Sequence, residues 1–334
     1  MWRIAGWFRR TPDRDAQAST QLLHAQRELG APDEGDVPLR PLEESLFCWL
    51  LSAESSTLRK GDPGSAKLEQ KLIRRLRHSG LEEVPRRPSV LPRLMSAIGQ
   101  PDSRRGEITG IILSDSSLTA QVLETANTPQ FGLREQNISS VEQAVFVLGE
   151  EGLHNVVSTA VMKPLMSARN NQEAAFVSRA WRWGLACARA SELIARNREG
   201  HAQGYFLVAL LPALAYITLF RESRKLLGQH GTPERPSPAL IHQMLTSLGW
   251  ETVQSIAALW DLPAQSHAWL LAAERPPADS RDRPLNEGLI LGTREVLRHA
   301  HRASLSDEAL QSAVNMSPQM LDPIQQKVDR IIAR

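Results

Sequence analysis

GYFLVALLPALAYITLFRES, Gly204 to Ser223, is an apolar run near the middle of a 334-residue chain. Whether it crosses a membrane or fills a core decides the fold. Its uncharged part, Tyr205 to Phe220, is 16 residues long, short of the roughly 20 that a spanning helix needs. Pro212 falls mid-run, where it removes the bond to the Val208 carbonyl and predicts a kink. The run is expected to be a kinked core helix.

Composition agrees with a soluble globular chain. Apolar residues make up 42% and charged residues 23%, too much to bury for a disordered protein. Lys+Arg 39 against Asp+Glu 37 leaves a formal charge of +2, so no global field demands nucleic acid. Cys48 and Cys187 offer neither a disulfide framework nor a zinc quartet, which suits a reducing cytoplasm. Cys187, in an apolar helical stretch, reads as a small core residue. The N-terminus, MWRIAGWFRR, is no secretory signal, because Arg3, Arg9 and Arg10 interrupt any apolar region. Ile4, Trp7 and Phe8 share a helical face, which suits either weak docking to a membrane surface or partner, or packing on the protein's own domain.

Outward from the apolar run, almost every window is helical and few alternate as strands do. GAPDEGDVP, Gly30 to Pro38, reads as a linker. LEESLFCWLLSAE and SAKLEQKLIRRLRHSG are two helices, the second closed by Gly80. After the proline-punctuated VPRRPSVLPRL come short helices in LPRLMSAIGQ, EITGIILSD and SLTAQVLETAN. Ser139 and Glu142 have capping-box spacing ahead of a helix that Gly149 ends. AFVSRAWRWGLACARASELIARN is a long helix. PALIHQMLTSLGW, ETVQSIAALWDLP and HAWLLAAE follow the apolar run, and RPPADSRDRP is a loop before two last helices, about Asn286 to Ala300 and Pro318 to Ile332.

Catalytic signatures are missing. None of the nine histidines is followed by Asp, and His299 and His301 diverge by about 200° on a helix. There is no G-x-S-x-G elbow, Walker loop or GxGxxG. Trp181, Trp183, Trp250, Trp260 and Trp269 read as core rather than as a base-stacking platform. Lys71, Arg74, Arg75 and Arg77 read as a solvated basic face.

One resemblance gathers these segments. The opening Leu91-Pro92, the run DSSLTAQVL (Asp115 to Leu123), Ala126-Asn127 before Phe131-Gly132, and ISSVEQAVFVLG (Ile138 to Gly149) stand in the order of an HDOD domain. AWRWGLACA, FLVALLPALAYITLF and LWDLP continue the similarity to about Pro276. HDOD domains are all-helical bacterial signalling modules related to the HD-superfamily metal phosphohydrolases. The resemblance implies an all-α protein: tail and linker at 1–40, a helical region at 41–85, an HDOD-like domain at 88–276, and a C-terminal helical extension at 285–334.

On the pattern of the catalytic relatives, the metal-binding His-Asp pair falls at Pro212 and Ala213. The earlier histidine falls at Trp183, and the later ones at Gly249, Ala272 and Ala273. The resemblance thus implies vacated ligand positions, an apolar filled site, no metal and no cofactor. The expected function is a non-enzymatic scaffold or regulator contacting a two-component, chemotaxis or second-messenger protein. Trp2, Trp7, Phe8, Phe131 and Arg134 are the candidate partner contacts. The alternatives are a cyclic-dinucleotide sensor using Arg179, Arg182 and Trp183, a residual metal-dependent phosphodiesterase, and a nucleic-acid adaptor.

Overall fold

The computed structural model describes residues 39–333 apart from 61–64, 79, 99–104, 129–137, 200–201, 203, 229–235 and 275–282. The linker and the candidate contacts Trp2, Trp7, Phe8, Phe131 and Arg134 lie outside the described residues. Among the described residues every regular element is a helix, and Leu39–Arg334 forms one compact unit. The first part contains α1 (Leu39–Leu51), α2 (Ser55–Leu58), α3 (Ser65–His78), α4 (Leu91–Ile98), α5 (Arg105–Leu113), α6 (Ser116–Ala126) and α7 (Val141–Met162). The remainder contains α8 (Asn171–Glu199), α9 (Tyr205–Val208), α10 (Leu211–Gly228), α11 (Pro238–Leu259), α12 (Ala264–Glu274), α13 (Pro284–His299), α14 (Asp307–Val314) and α15 (Pro318–Ile332).

The long helix α8 is the axis, with α13, α10, α15 and α1 packed against it. Its closest neighbour is α13. Gly288 and Gly292 of α13 face Ser191 and Cys187 of α8, so a Cβ on Gly292 would stand 2.6 Å from the Cys187 Cα. Small residues on both helices therefore set an approach that larger ones would forbid.

The apolar run is core rather than membrane. Tyr205–Gly228 is long and apolar enough to span, but 89% of that window is buried inside the protein. The expected kink is instead a break: α9 ends at Val208 and α10 begins at Leu211. Pro212 occupies the first turn of α10, where its missing N–H leaves no hydrogen bond unmade. The run ends in two buried charges. Arg221 binds Glu173 at 3.0 Å and the Ser167 carbonyl at 2.7 Å. Glu222 pairs with Arg75 and accepts from the Glu83 N–H at 3.0 Å, tying α3 and the segment after it to α10.

Local stops and starts follow their chemistry. Gly80 has φ 76° and donates to the Arg75 carbonyl at 2.7 Å, closing α3 as expected. Gly149, at φ 67°, divides α7 into two helical parts. The capping box lies one residue later than the Ser139–Glu142 spacing suggests: the Ser140 hydroxyl accepts from the Gln143 N–H, and Gln143 Oε1 accepts from the Ser139 N–H at 2.9 Å. Ser140→Ala is expected to lower stability by about 1 kcal/mol in urea unfolding. The segments PALIHQMLTSLGW and ETVQSIAALWDLP form a single helix, α11, and α14 is an element the sequence reading lacked.

Candidate functional site

Trp183 sits at the middle of α8, 4% exposed, and its indole N–H donates to Thr293 Oγ1 of α13 at 2.9 Å. The Thr293 hydroxyl donates in turn to the Leu289 carbonyl at 2.6 Å. The Trp183 ring stacks on Tyr216 of α10, centroids 5.2 Å apart and planes 11° from parallel. Tyr216 also meets Phe47 of α1 at 5.7 Å, and Phe47 meets His242 of α11 edge-on at 4.9 Å. Burial pushes the Tyr216 phenol above its ordinary value and, more than any other cause, holds His242 below its own. Gly249 of α11 is required by this arrangement, since a Cβ there would lie 2.9 Å from Tyr216 Cε1.

Of these rings, Trp183 and Tyr216 border a cavity of about 270 Å³. Pro212, Gly249 and Ala273 contribute to its wall along with Trp183. Four of the six positions assigned to vacated ligands therefore face one space, brought there by α8, α10, α11 and α12. Of the other two, Ala213 is buried against Gly184, a Cβ there lying 2.9 Å from its own, and Ala272 is half-buried outside the lining. The expectation of a filled site needs correction. The space is walled largely by apolar groups, but it is not filled: Ala273 contributes no more than a methyl group, while the Tyr216 ring takes the room beside Gly249.

The sequence reading missed what closes the cavity. Arg40, Leu42, Glu43 and Leu46 of α1 and Asn286, Leu289 and Ile290 of α13 complete its lining, with Trp250 of α11. α1 is held in place by Glu44, whose carboxylate accepts from Arg59 Nε at 2.9 Å and Nη2 at 2.8 Å. That bidentate bond, helped by the Ser55 hydroxyl, holds the Glu44 carboxyl down at about 2. The amphipathic pattern of α1 marked it as a helix without showing which partner it would cover.

A divalent metal needs several His, Cys, Asp or Glu side chains converging on one point. Among the described residues there is no group of three or more such side chains that could hold one. The cavity lining contains one carboxylate, Glu43, and neither histidine nor cysteine. The residues present do not fit a metal centre. Cys187, next to this layer, is buried with its thiol pushed far up, as expected of a core residue.

The other candidate sets do not assemble. Arg179 donates to the Trp49 carbonyl at 2.8 Å and to the Ser52 hydroxyl, Arg182 is exposed, and Trp183 has its N–H committed to Thr293. Of these three residues Trp183 alone lines the cavity. In the basic set, Arg75 is spent on Glu222 and Glu82, so that face is partly structural; the Arg77 side chain is outside the described residues. Trp260 is core, as expected, with its N–H on the Pro85 carbonyl at 3.0 Å.

Comparison with known proteins bears on this arrangement. The HDOD domain family profile matches residues 84–276. The crystal structure of an HDOD domain protein of unknown function from Geobacter sulfurreducens superposes with TM-score 0.54 at 18% identity, covering 80% of this chain and 96% of that one. One from Shewanella amazonensis, named as a candidate metal-dependent phosphohydrolase, superposes with TM-score 0.57 at 17% identity, covering 81% and 99%. An uncharacterized protein of Treponema pallidum is 21% identical over 187 residues; the match takes in 55% of this chain and 36% of the length of that relative. At these identities the superpositions speak for the fold alone. With more than half its length matched, the chain belongs to the HDOD domain family.

Proposed function

We propose that the protein is a non-enzymatic regulator or scaffold of bacterial signal transduction, working in the cytoplasm through contacts with another signalling protein. The observation that supports this reading is the composition of the cavity. Trp183, Pro212, Gly249 and Ala273 stand where the pattern of the catalytic relatives puts metal ligands, and none of them can donate to a cation. Hydrolysis by such a fold depends on a metal that lowers the pKa of bound water, and nothing in this lining would hold one. With no hydrolytic step to perform, the fold's contribution is a surface and a pocket.

Metal analysis of the purified full-length chain, with hydrolysis of bis-p-nitrophenyl phosphate measured in added Mn²⁺, tests the first half of the proposal. Substoichiometric transition metal and no hydrolysis above buffer are expected; stoichiometric metal with turnover would overturn it. Crosslinked affinity purification from the native cells tests the second half. A discrete signalling protein in stoichiometric amount is expected, and repeated recovery of the chain alone would count against a scaffold.

A further inference from the structure

We propose that the cavity beneath α1 binds a small, flat aromatic carboxylate, with its ring against the aromatic wall and its carboxylate at Arg40 and Asn286. This rests on the reading that the cavity holds no metal ion. The cavity, of about 270 Å³, opens to the surface beside the exposed Leu39 and Arg40. It lies near the lower end of ligand pockets, roughly 300–1,000 Å³. That suits one or two fused rings and is too small for a dinucleotide.

The lining defines the chemistry of the ligand. Trp183, Tyr216 and Trp250 present ring surface, and Leu42, Leu46 and Val253 add aliphatic wall. The Trp183 N–H and the Thr293 hydroxyl are spent on each other and on Leu289, so this wall selects by shape and π contact. The polar groups come from the two closing helices, which pack on each other. Arg40 of α1 and Asn286 of α13 have no hydrogen-bond or ion-pair partner among the described residues. A guanidinium fork matches a planar carboxylate with two parallel bonds. Glu43, one turn along α1, already has an interaction of its own. Its negative charge opposes the single positive charge of Arg40, which disfavours a phosphate dianion and leaves a monoanion as the better match.

Both closing helices lie outside residues 84–276, the part shared with the family. The pocket is therefore closed by helices outside the family profile, and an occupant would join α1 and α13 across the core. Ligand binding would in this way stabilise the seat of α1.

The test titrates the full-length protein with indole-3-acetate and, separately, with indole, by calorimetry and by shift in melting temperature. Indole-3-acetate is expected to bind and raise the melting temperature, and indole to bind more weakly. Arg40→Ala, at an exposed position, should weaken indole-3-acetate about tenfold or more, the worth of a hydrogen bond to a charged group, and leave indole unchanged. Trp250→Ala should weaken both. Binding of neither probe at millimolar concentration would overturn the proposal, as would equal affinity of indole-3-acetate for the Arg40→Ala and unaltered proteins. Metal content measured on the same sample separates the two readings: a metal-free protein that binds neither probe sinks only the ligand, and stoichiometric metal sinks the premise.

Discussion

Replacing Gly292 by leucine is expected to abolish the folded state, seen as loss of the cooperative thermal transition and of near-ultraviolet circular dichroism. The physical reason is the crossing of α13 over α8. A Cβ at position 292 would lie 2.6 Å from both the Cα and the backbone N of Cys187 and 2.7 Å from its sulfur. Two of these three atoms are backbone, so no rotamer change relieves the clash, and the two helices must separate. Separation would pull Thr293 away from the Trp183 N–H and open the layer that packs Ala186, Cys187 and Ala190. Overpacking commonly costs about 1–3 kcal/mol, and more where the neighbour cannot yield. Since domains are stable by only about 5–15 kcal/mol, a helix–helix separation at the axis consumes most of that margin. Gly292→Ala provides the graded control: it should fold with a lowered melting temperature. Gly249→Ala probes a softer contact, because the atom it meets belongs to the Tyr216 ring rather than to backbone.

Neither Gly288 nor Gly292 announces this role in the sequence. A glycine inside a helical pattern reads as a helix-weakening residue, and the spacing of four means close approach only once the facing helix is known to offer Cys187 and Ser191. The same limit explains α11. Gly249 invites a helix end at Trp250, yet the chain continues helically, and the glycine answers instead to the Tyr216 ring, which occupies the space a side chain would need. Local signals that depend on neighbouring residues alone were legible: the Gly80 stop, the Gly149 break, and, to within one residue, the cap ahead of α7. The helix α14 was missed although its local signals are present, with Ser306 as its N-cap, Asp307 and Glu308 in its first turn and Asn315 in the left-handed conformation at its end. At the cavity, four of the six positions assigned from the family pattern line one space. The pattern could not show that α1 and α13 close that space, because those helices lie beyond the shared pattern and their apolar faces name no partner. Nor could it show that the space is open, which depends on the volume left over once Trp183 and Tyr216 have stacked.

Arg221→Ala is expected to destabilise the protein by about 3–5 kcal/mol, because it leaves the Glu173 carboxylate buried without its ion-pair partner. Arg221 is 6% exposed and Glu173 2%. The guanidinium reaches Glu173 from Nε at 3.2 Å and Nη2 at 3.0 Å, and also holds the Leu165 and Ser167 carbonyls, so the loop between α7 and α8 depends on it as well. Burial raises the Glu173 pKa, but the hydrogen bonds from Arg221 and from the Arg169 backbone outweigh it, and the folded value lies below the ordinary 4.5. A carboxylate with a depressed folded pKa contributes stability that is fully present above its unfolded value and is lost as pH falls through the folded one. The pair should therefore contribute at neutral pH and fail in acid, below the ordinary Glu range. In Arg221→Ala the loss of the partner allows burial to dominate, and the Glu173 pKa should rise above its unfolded value. The sign then reverses: the variant gains stability as Glu173 takes up a proton, so its deficit should shrink between neutral pH and about pH 4. Urea unfolding of both proteins at neutral pH and at mildly acid pH checks this. A deficit independent of pH would mean that the carbonyl contacts, rather than the ion pair, are what Arg221 supplies. Glu173→Gln separates the two contributions, since it removes the buried charge while leaving the Arg221 bonds to Leu165 and Ser167 available. Its own deficit should fade as pH falls through the folded Glu173 pKa.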